Sequence, residues 1–275
     1  MKQADLHVHT NYSDSTFSPQ EVVFHAKHRS LAAVAICDHD SIDGIQPSID
    51  AGEKEGIEII PGIELTVEKP DAEIHILGYF IGWKLDWFRD QLKKMQAGRV
   101  DRVYRIVEKL NKNGIDIRPE QVFALAGKGS VGRLHVAKVM LDMAQVATYN
   151  EAFSKYIGFR KPCYVPNIKF TPEEAIKFIL SSGGVPVLAH PGLMGHDEYI
   201  KELVGYGLRG LEVYHTDHRP SVRKRYEEIA KELGLIMTGG SDCHGLGKGR
   251  ILIGNVRVPY EVVDRLRDES KAIQK

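Results

Sequence analysis

Three short stretches hold most of the side chains able to do chemistry: Asp5-Leu-His7-Val-His9-Thr10, Asp38-His39-Asp40 and Ser241-Asp242-Cys-His244. Glu64, His75, His190 and His215 stand apart, yet each falls in or just after a short apolar run. Imidazole nitrogens and carboxylate oxygens without thiolates suit zinc, manganese or iron, and a carboxylate can bridge two ions. A His-x-His pair on a strand puts both rings on one face about 6.6 Å apart, at ~3.3 Å per residue, near enough to share an ion. One such pair is a weak signal. Three clusters, each at the end of an apolar run, predict a polynuclear metal site.

The elements that must position these groups alternate. ADLHVHT, LAAVAICDHD, GIEIIPGIEL, EIHILGYFI, GVPVLAHP, GLRGLEVYH, LIMTGGSDCH and ILIGNVRVP read as strands, and amphipathic helical patterns lie between most of them. Ser18, Pro19 and Glu21 form a capping box at one helix start, and Thr171 to Glu174 form a second. Alternation with near-continuous apolar strands predicts an α/β fold with a parallel sheet, doubly wound or closed into a barrel. In either, functional groups collect at the carboxyl ends of strands, so side chains from His7 to His244 would converge on one mouth. From Trp83 to Asn167 the pattern turns helical, with Val103, Ile106, Val107 and Leu110 as an apolar stripe. Residues 1–82 and 183–275 are therefore expected to build the barrel, and 83–182 a helical insertion that forms a lid.

Bulk properties bound the function. Among 275 residues, 37 Lys and Arg balance 37 Asp and Glu, which argues against sequence-independent binding to duplex nucleic acid. Three cysteines without a C-x-x-C pair predict neither a disulfide framework nor a thiolate zinc site. No signal-peptide core or apolar run long enough to span a membrane is evident, so a cytoplasmic protein is expected.

In order along the chain, Asp5 to Thr10, Ser13-Asp14, Asp38 to Asp40, Gly62 to Glu64, His75, His190-Pro191 and Gly240 to His244 resemble the polymerase-and-histidinol-phosphatase (PHP) superfamily. Cys37 departs from the Thr common before its Asp-His pair. The resemblance implies a distorted, TIM-like (β/α)7 barrel carrying two to three divalent ions (Mn, Zn or Fe). It assigns His7, His9, Glu64 and Asp242 to one ion, Glu64, His75 and His190 to a second, and Asp14, His39 and His244 to a third. Asp14, His39, Asp242 and His244 are expected to carry the reaction. Asp38, Asp40 and Asp5 are expected behind the ligands, orienting imidazoles. The subgroup with a helical insertion and a Gly132-Arg133-x-His135 segment resembles nucleotide phosphatases and 5′-to-3′ exoribonucleases. A bound ion lowers the pKa of water towards 7, so hydrolysis of a nucleotide or of a short RNA 5′ end needs no strong side-chain base.

On the substrate side, Arg133 and His135 open a helix after a small-residue loop and could clamp a phosphate. His215 and His218 follow a strand end and could reach the same mouth. Lys248 or Arg250 could screen an anion from a glycine-rich loop. Arg99, Arg102 and Arg105 read as a solvated helix face. The rival readings are a histidinol-phosphate-type phosphomonoesterase, an amidohydrolase-type deacylase and a non-catalytic sensor of metal or nucleotide. Oligomeric state is not encoded in any motif.

Overall fold

The computed structural model describes residues 2–127, 129–166, 170–247 and 249–275. Seven strands make one sheet: β1 (Gln3–Val8), β2 (Ala33–Ile36), β3 (Glu58–Lys69), β4 (Ala72–Tyr79), β5 (Val185–Leu188), β6 (Gly210–His215) and β7 (Ile236–Gly240). They are ordered β7-β6-β5-β4-β3-β2-β1, and a two-residue strand, β8 (Val258–Pro259), extends the sheet beyond β1. The sheet curls until its ends meet. Asp242 N–H donates to His7 O at 2.8 Å, and His9 N–H donates to Cys243 O at 3.0 Å. Gly240 lies on this seam, where a Cβ would sit 2.4 Å from the His7 Cβ, so glycine is what lets the two backbones approach. The outcome is the expected distorted, nearly closed seven-stranded barrel.

Two local readings are corrected. The sheet is not all parallel, because β4 runs antiparallel to both β3 and β5. Only Pro70 and Asp71 separate β3 from β4, and a parallel crossover needs a dozen residues or more, so the chain must turn back as a hairpin. ILIGNVRVP is strand only at Val258–Pro259. Its earlier amides are taken by side chains: Gly254 N–H donates to Asp5 Oδ2 at 2.8 Å and Leu252 N–H to Cys243 Sγ at 3.4 Å.

The helices are α1 (Pro19–His28), α2 (Ile45–Glu55), α3 (Asp86–Lys112), α4 (Pro119–Ala126), α5 (Arg133–Asp142) and α6 (Tyr149–Glu151). The last runs into a π-helical turn, Ala152–Ile157. Then follow α7 (Pro172–Ser181), α8 (Pro191–Met194), α9 (Glu198–Tyr206), α10 (Pro220–Glu232) and α11 (Glu261–Ile273). The Ser18 and Thr171 capping boxes both form. No helix among the described residues is long and apolar enough to cross a membrane.

Apolar burial has two centres. One surrounds the barrel strands, inside around Leu6, Cys37, Leu77 and Val187, and outside beneath the helices. The other is a separate cluster in the helical stretch, built from Val103, Ile106, Leu110, Ile117, Val136 and Met140. α3 belongs to both: Phe88, Leu92 and Met95 pack with the barrel, and Val103 to Leu110 pack in the second cluster. Arg99 and Arg102 sit where it passes from one to the other. The seam gives a direct test: Gly240→Ala should lower stability by about 1–3 kcal/mol through overpacking against His7. Chemical denaturation measures this, and an unchanged midpoint would contradict the close approach of β1 and β7.

Candidate metal centre

The strand ends deliver the cluster, but not all in the same way. His7 is on β1, His9 one residue past its end, and His39 follows β2. Glu64 and His75 are instead inside β3 and β4, because the hairpin runs on past the barrel rim. His190 and Asp242 leave β5 and β7 with φ of 25° and 51°, and Asp40 has φ of 48°. Such left-handed backbone costs a non-glycine residue ~1–3 kcal/mol and is held only where surrounding structure over-determines it. Here it turns side chains back towards the barrel axis.

Glu64 is the hub. Its Oε1 lies 2.7 Å from His75 Nδ1 and 3.0 Å from His190 Nε2. Its Oε2 lies 3.2 Å from His39 Nδ1 and 3.3 Å from the Nε2 atoms of His7 and His9. Asp242 Oδ1 lies 3.2 Å from His9 Nε2 and 3.5 Å from His244 Nδ1, while Asp14 Oδ1 lies 3.2 Å from His244 Nε2. Three groups have ligand atoms all within 4.8 Å of one another: His7, His9, Glu64 and Asp242; His9, Asp14, His39 and His244; and His39, Glu64 and His75. Ions with bonds of about 2.0–2.2 Å place their donors at comparable separations. Among the described residues, His7 Nε2, both His9 ring nitrogens, His39 Nδ1, Asp14 Oδ1 and Glu64 Oε2 are buried without a hydrogen-bond partner. Unpaired buried polar atoms converging on shared points are what divalent ions would satisfy, so the donor set fits them.

Electrostatics follow the geometry. Burial pushes the Glu64 carboxyl up, but the rings of His39, His75 and His7 outweigh it and hold it well below the usual carboxylate range. Burial lowers His9 to about 4, helped by the neighbouring His244.

A supporting layer aims these groups. Glu212, fully buried, faces His7 Nδ1 at 3.0 Å and accepts from His190 N–H at 2.8 Å, directing His7 Nε2 towards Glu64. Asp38 accepts from Thr10 N–H at 2.7 Å and from the Thr10 and Ser13 hydroxyls at 2.6 Å. It therefore braces the loop leading to Asp14, where an imidazole partner was expected. Asp5 likewise accepts from backbone amides, those of His7, Ser241 and Gly254. Asp40 pairs with Arg99.

The expected substrate contacts divide. Arg133 lines a cavity of about 950 Å³ above the cluster, with Asp14, His39, Glu64, His75 and Asp242 on its floor. His135, His215 and His218 do not line it. His135 accepts from Gly132 N–H at 3.1 Å and caps α5. His215 is fully buried; its Nδ1 accepts from Asp217 N–H at 3.2 Å, which leaves the Nε2 proton facing Asp242 Oδ2 at 3.5 Å. His218 is consumed by Val213 O at 2.9 Å and Gly192 N–H at 3.2 Å. Spacing in sequence could not separate a ring facing the cavity from a ring bonded beneath it. Arg250 is exposed and Lys248 lies outside the described residues.

Arg99 and Arg102 are corrections in the opposite sense. Both are buried and line the cavity, and only Arg105 is exposed as expected. Arg99 Nε donates to Asp40 Oδ2 at 2.6 Å, and Arg102 Nε donates to Val165 O at 2.7 Å.

Comparison with known proteins accords with this geometry. The PHP domain family model matches residues 5–154. The chain belongs to the PHP family. A 5′-3′ exoribonuclease of Haemophilus influenzae is 31% identical over 94% of this chain and 98% of its own length. A 3′,5′-nucleoside bisphosphate phosphatase of Chromobacterium violaceum is 29% identical over 93% of this chain and 92% of its own. The crystal structure of a proposed metal-dependent phosphoesterase from Bifidobacterium adolescentis superposes with a TM-score of 0.89 at 30% identity, covering 97% of this chain and 96% of that one.

Within this PHP barrel, Arg99 is the functional candidate that the sequence reading placed on a solvated face, while Glu212, one of the acids expected at a strand end, takes its place behind His7. Glu212 carried a signal, an acid buried inside an apolar strand. Arg99 carried one too, since 88, 92, 95, 99, 102, 103, 106 and 110 form one continuous helix stripe. Glu212→Gln should weaken metal binding about 10–100-fold by releasing the His7 ring. Competition with a chelator measures it, and unchanged affinity would remove Glu212 from the supporting layer.

Proposed function

We propose that this PHP protein hydrolyses phosphate esters of nucleotides, either a 3′,5′-bisphosphonucleotide, a 5′-nucleotide or the 5′ end of a short RNA, with two to three divalent ions. The observation that carries this reading is one cavity with two chemically opposed walls. Seven of the nine candidate ligands make one wall, Asp14, His39, Glu64, His75, His190, Asp242 and His244, with His7 and His9 buried behind them. Arg99, Arg102 and Arg133 stand on the other. Its volume of about 950 Å³ is at the upper end of the range for small-molecule sites and admits a nucleotide. The Haemophilus and Chromobacterium relatives are named for RNA and nucleotide substrates, which favours the nucleotide over histidinol phosphate.

His7, His9, Glu64 and Asp242 would hold one ion, Glu64, His75 and His190 a second, and Asp14, His39 and His244 a third; nitrogen and carboxylate donors without thiolates suit Mn, Zn or Fe. Such ions supply Lewis acidity, neutralising phosphoryl charge and lowering the pKa of water. The remaining work belongs to the chain. Arg133 offers charge-assisted donors that fix a phosphate opposite the cluster. The ring of Phe153 and the side chains of Leu134 and Leu193 line the same space and exclude water. His215 Nε2 stands beneath the Asp242 carboxylate, 3.5 Å from Oδ2.

Phosphate release from 3′,5′-bisphosphonucleotides, mononucleotides, histidinol phosphate and 5′-phosphorylated RNA, alongside metal analysis, tests this. Preferential turnover of a nucleotide or RNA substrate is expected, and preference for histidinol phosphate, or bound metal with no hydrolysis, would overturn it. Asp242→Asn should lower metal content and turnover together. Arg133→Ala should cut kcat/KM about 10–100-fold, from the ~1.5–3 kcal/mol of a charge-assisted hydrogen bond, while metal content persists.

A further inference from the structure

Glu73 has no counterpart in any of the motifs, yet it sits between the two walls of the cavity. It is on β4 directly opposite Glu68 of β3, a cross-strand pair of like charges that would destabilise the hairpin on its own. Two arginines from the helical stretch compensate it. Arg133 forms an ion pair with Glu73 Oε1, and Arg102 NH2 stands 3.8 Å from Glu68 Oε1 and 3.9 Å from Glu73 Oε2. The Tyr164 hydroxyl donates to Glu73 Oε2 at 3.4 Å. Arg133 is further fixed between rings, its guanidinium carbon 5.5 Å from the Tyr164 centroid and 5.7 Å from that of Phe153. The oxygen that takes Arg133 also faces the cluster: Glu73 Oε1 is 3.6 Å from His75 Nε2, while His75 Nδ1 is turned to Glu64.

We propose that Glu73 is a positioning residue that couples the two walls, holding the His75 ring for its ion and the Arg133 guanidinium for the substrate phosphate through one carboxylate. The proposal rests on the metal-dependent phosphoesterase reading and adds to it a physical link between metal binding and phosphate binding. Glu73 Oε1 stands just beyond hydrogen-bond reach of His75 Nε2, and its charge there favours a proton on Nε2, leaving the Nδ1 lone pair on the Glu64 side, which is the tautomer a ligand in that group needs. The same carboxylate restricts Arg133 to one orientation over the cavity, where a charge-assisted donor needs fixed geometry. Because Glu73 belongs to the hairpin and Arg133 to α5, the link also joins the barrel to the helical stretch.

The test uses the full chain with Glu73→Gln, which keeps shape and removes charge. Three measurements are made: the Mn2+ binding isotherm, the KM for a nucleotide substrate at saturating Mn2+, and the melting temperature. The expected result is a roughly 10–100-fold loss of affinity for one ion with the others unchanged, together with a raised KM. A folded variant with both quantities unchanged overturns the proposal. So does a change at one end without the other, since coupling requires both. Equal weakening of every ion along with a lowered melting temperature also overturns it, because a purely structural role predicts that pattern. If Glu73→Gln does not fold, Glu73→Asp, which keeps the charge and shortens its reach, is read by the same isotherm and KM. Wild-type protein that binds no Mn2+ or releases no phosphate would defeat the underlying reading instead.

Discussion

A carboxylate buried under five imidazoles is the constraint on which this molecule turns. Glu64 is almost wholly excluded from water and lies within 3.3 Å of ring nitrogens from His7, His9, His39, His75 and His190. Removing a charge from water costs far more than a single hydrogen bond returns, so such a group persists only with dense compensation. The surrounding fold supplies it. Glycine at 240 lets the barrel close tightly enough for β1 and β7 to face each other, and left-handed residues at 190 and 242 turn side chains inward. The donor set around Glu64 is one that divalent cations would complete.

The second wall obeys the same accounting of charge. Arginines 99 and 102 occupy the buried stripe of α3, where apolar residues are the rule, and each is matched by an acid carried on the barrel side. Burial of such pairs contributes little net stability, and removing one partner is costly, so they specify how the helical stretch meets the hairpin more than they strengthen it. The chain's zero formal charge thus hides two opposed surfaces. One is rich in ligands for cations and the other in donors for anions, and the cavity lies between them.

Much of this was legible from the residues. The alternation of apolar runs and amphipathic helices gave the α/β class, the motif resemblance gave the barrel, and eight histidines and acids at or within those runs, with Asp14 in the loop after the first, are the residues the structure brings together. The two-residue gap between Lys69 and Ala72 could have revealed the antiparallel hairpin, because it is too short for any crossover. The stripe of α3 could have revealed Arg99 and Arg102, had their phase been weighed above their charge. His135, His215 and His218 are different: nothing local distinguishes a histidine that lines a cavity from one whose nitrogens are already satisfied by backbone amides and carbonyls.

The sequence by itself therefore determined which chemical groups are present, the period that buries them, and their order along the barrel, since these depend on residue type and local spacing. Only the tertiary structure decided which nitrogen faces which oxygen. It set Glu212 behind His7, paired Glu68 and Glu73 with arginines from two other helices, α3 and α5, and took three histidines out of the cavity. Those outcomes depend on contacts between residues up to two hundred positions apart, where a shift of about one hydrogen-bond length separates a ligand from a brace.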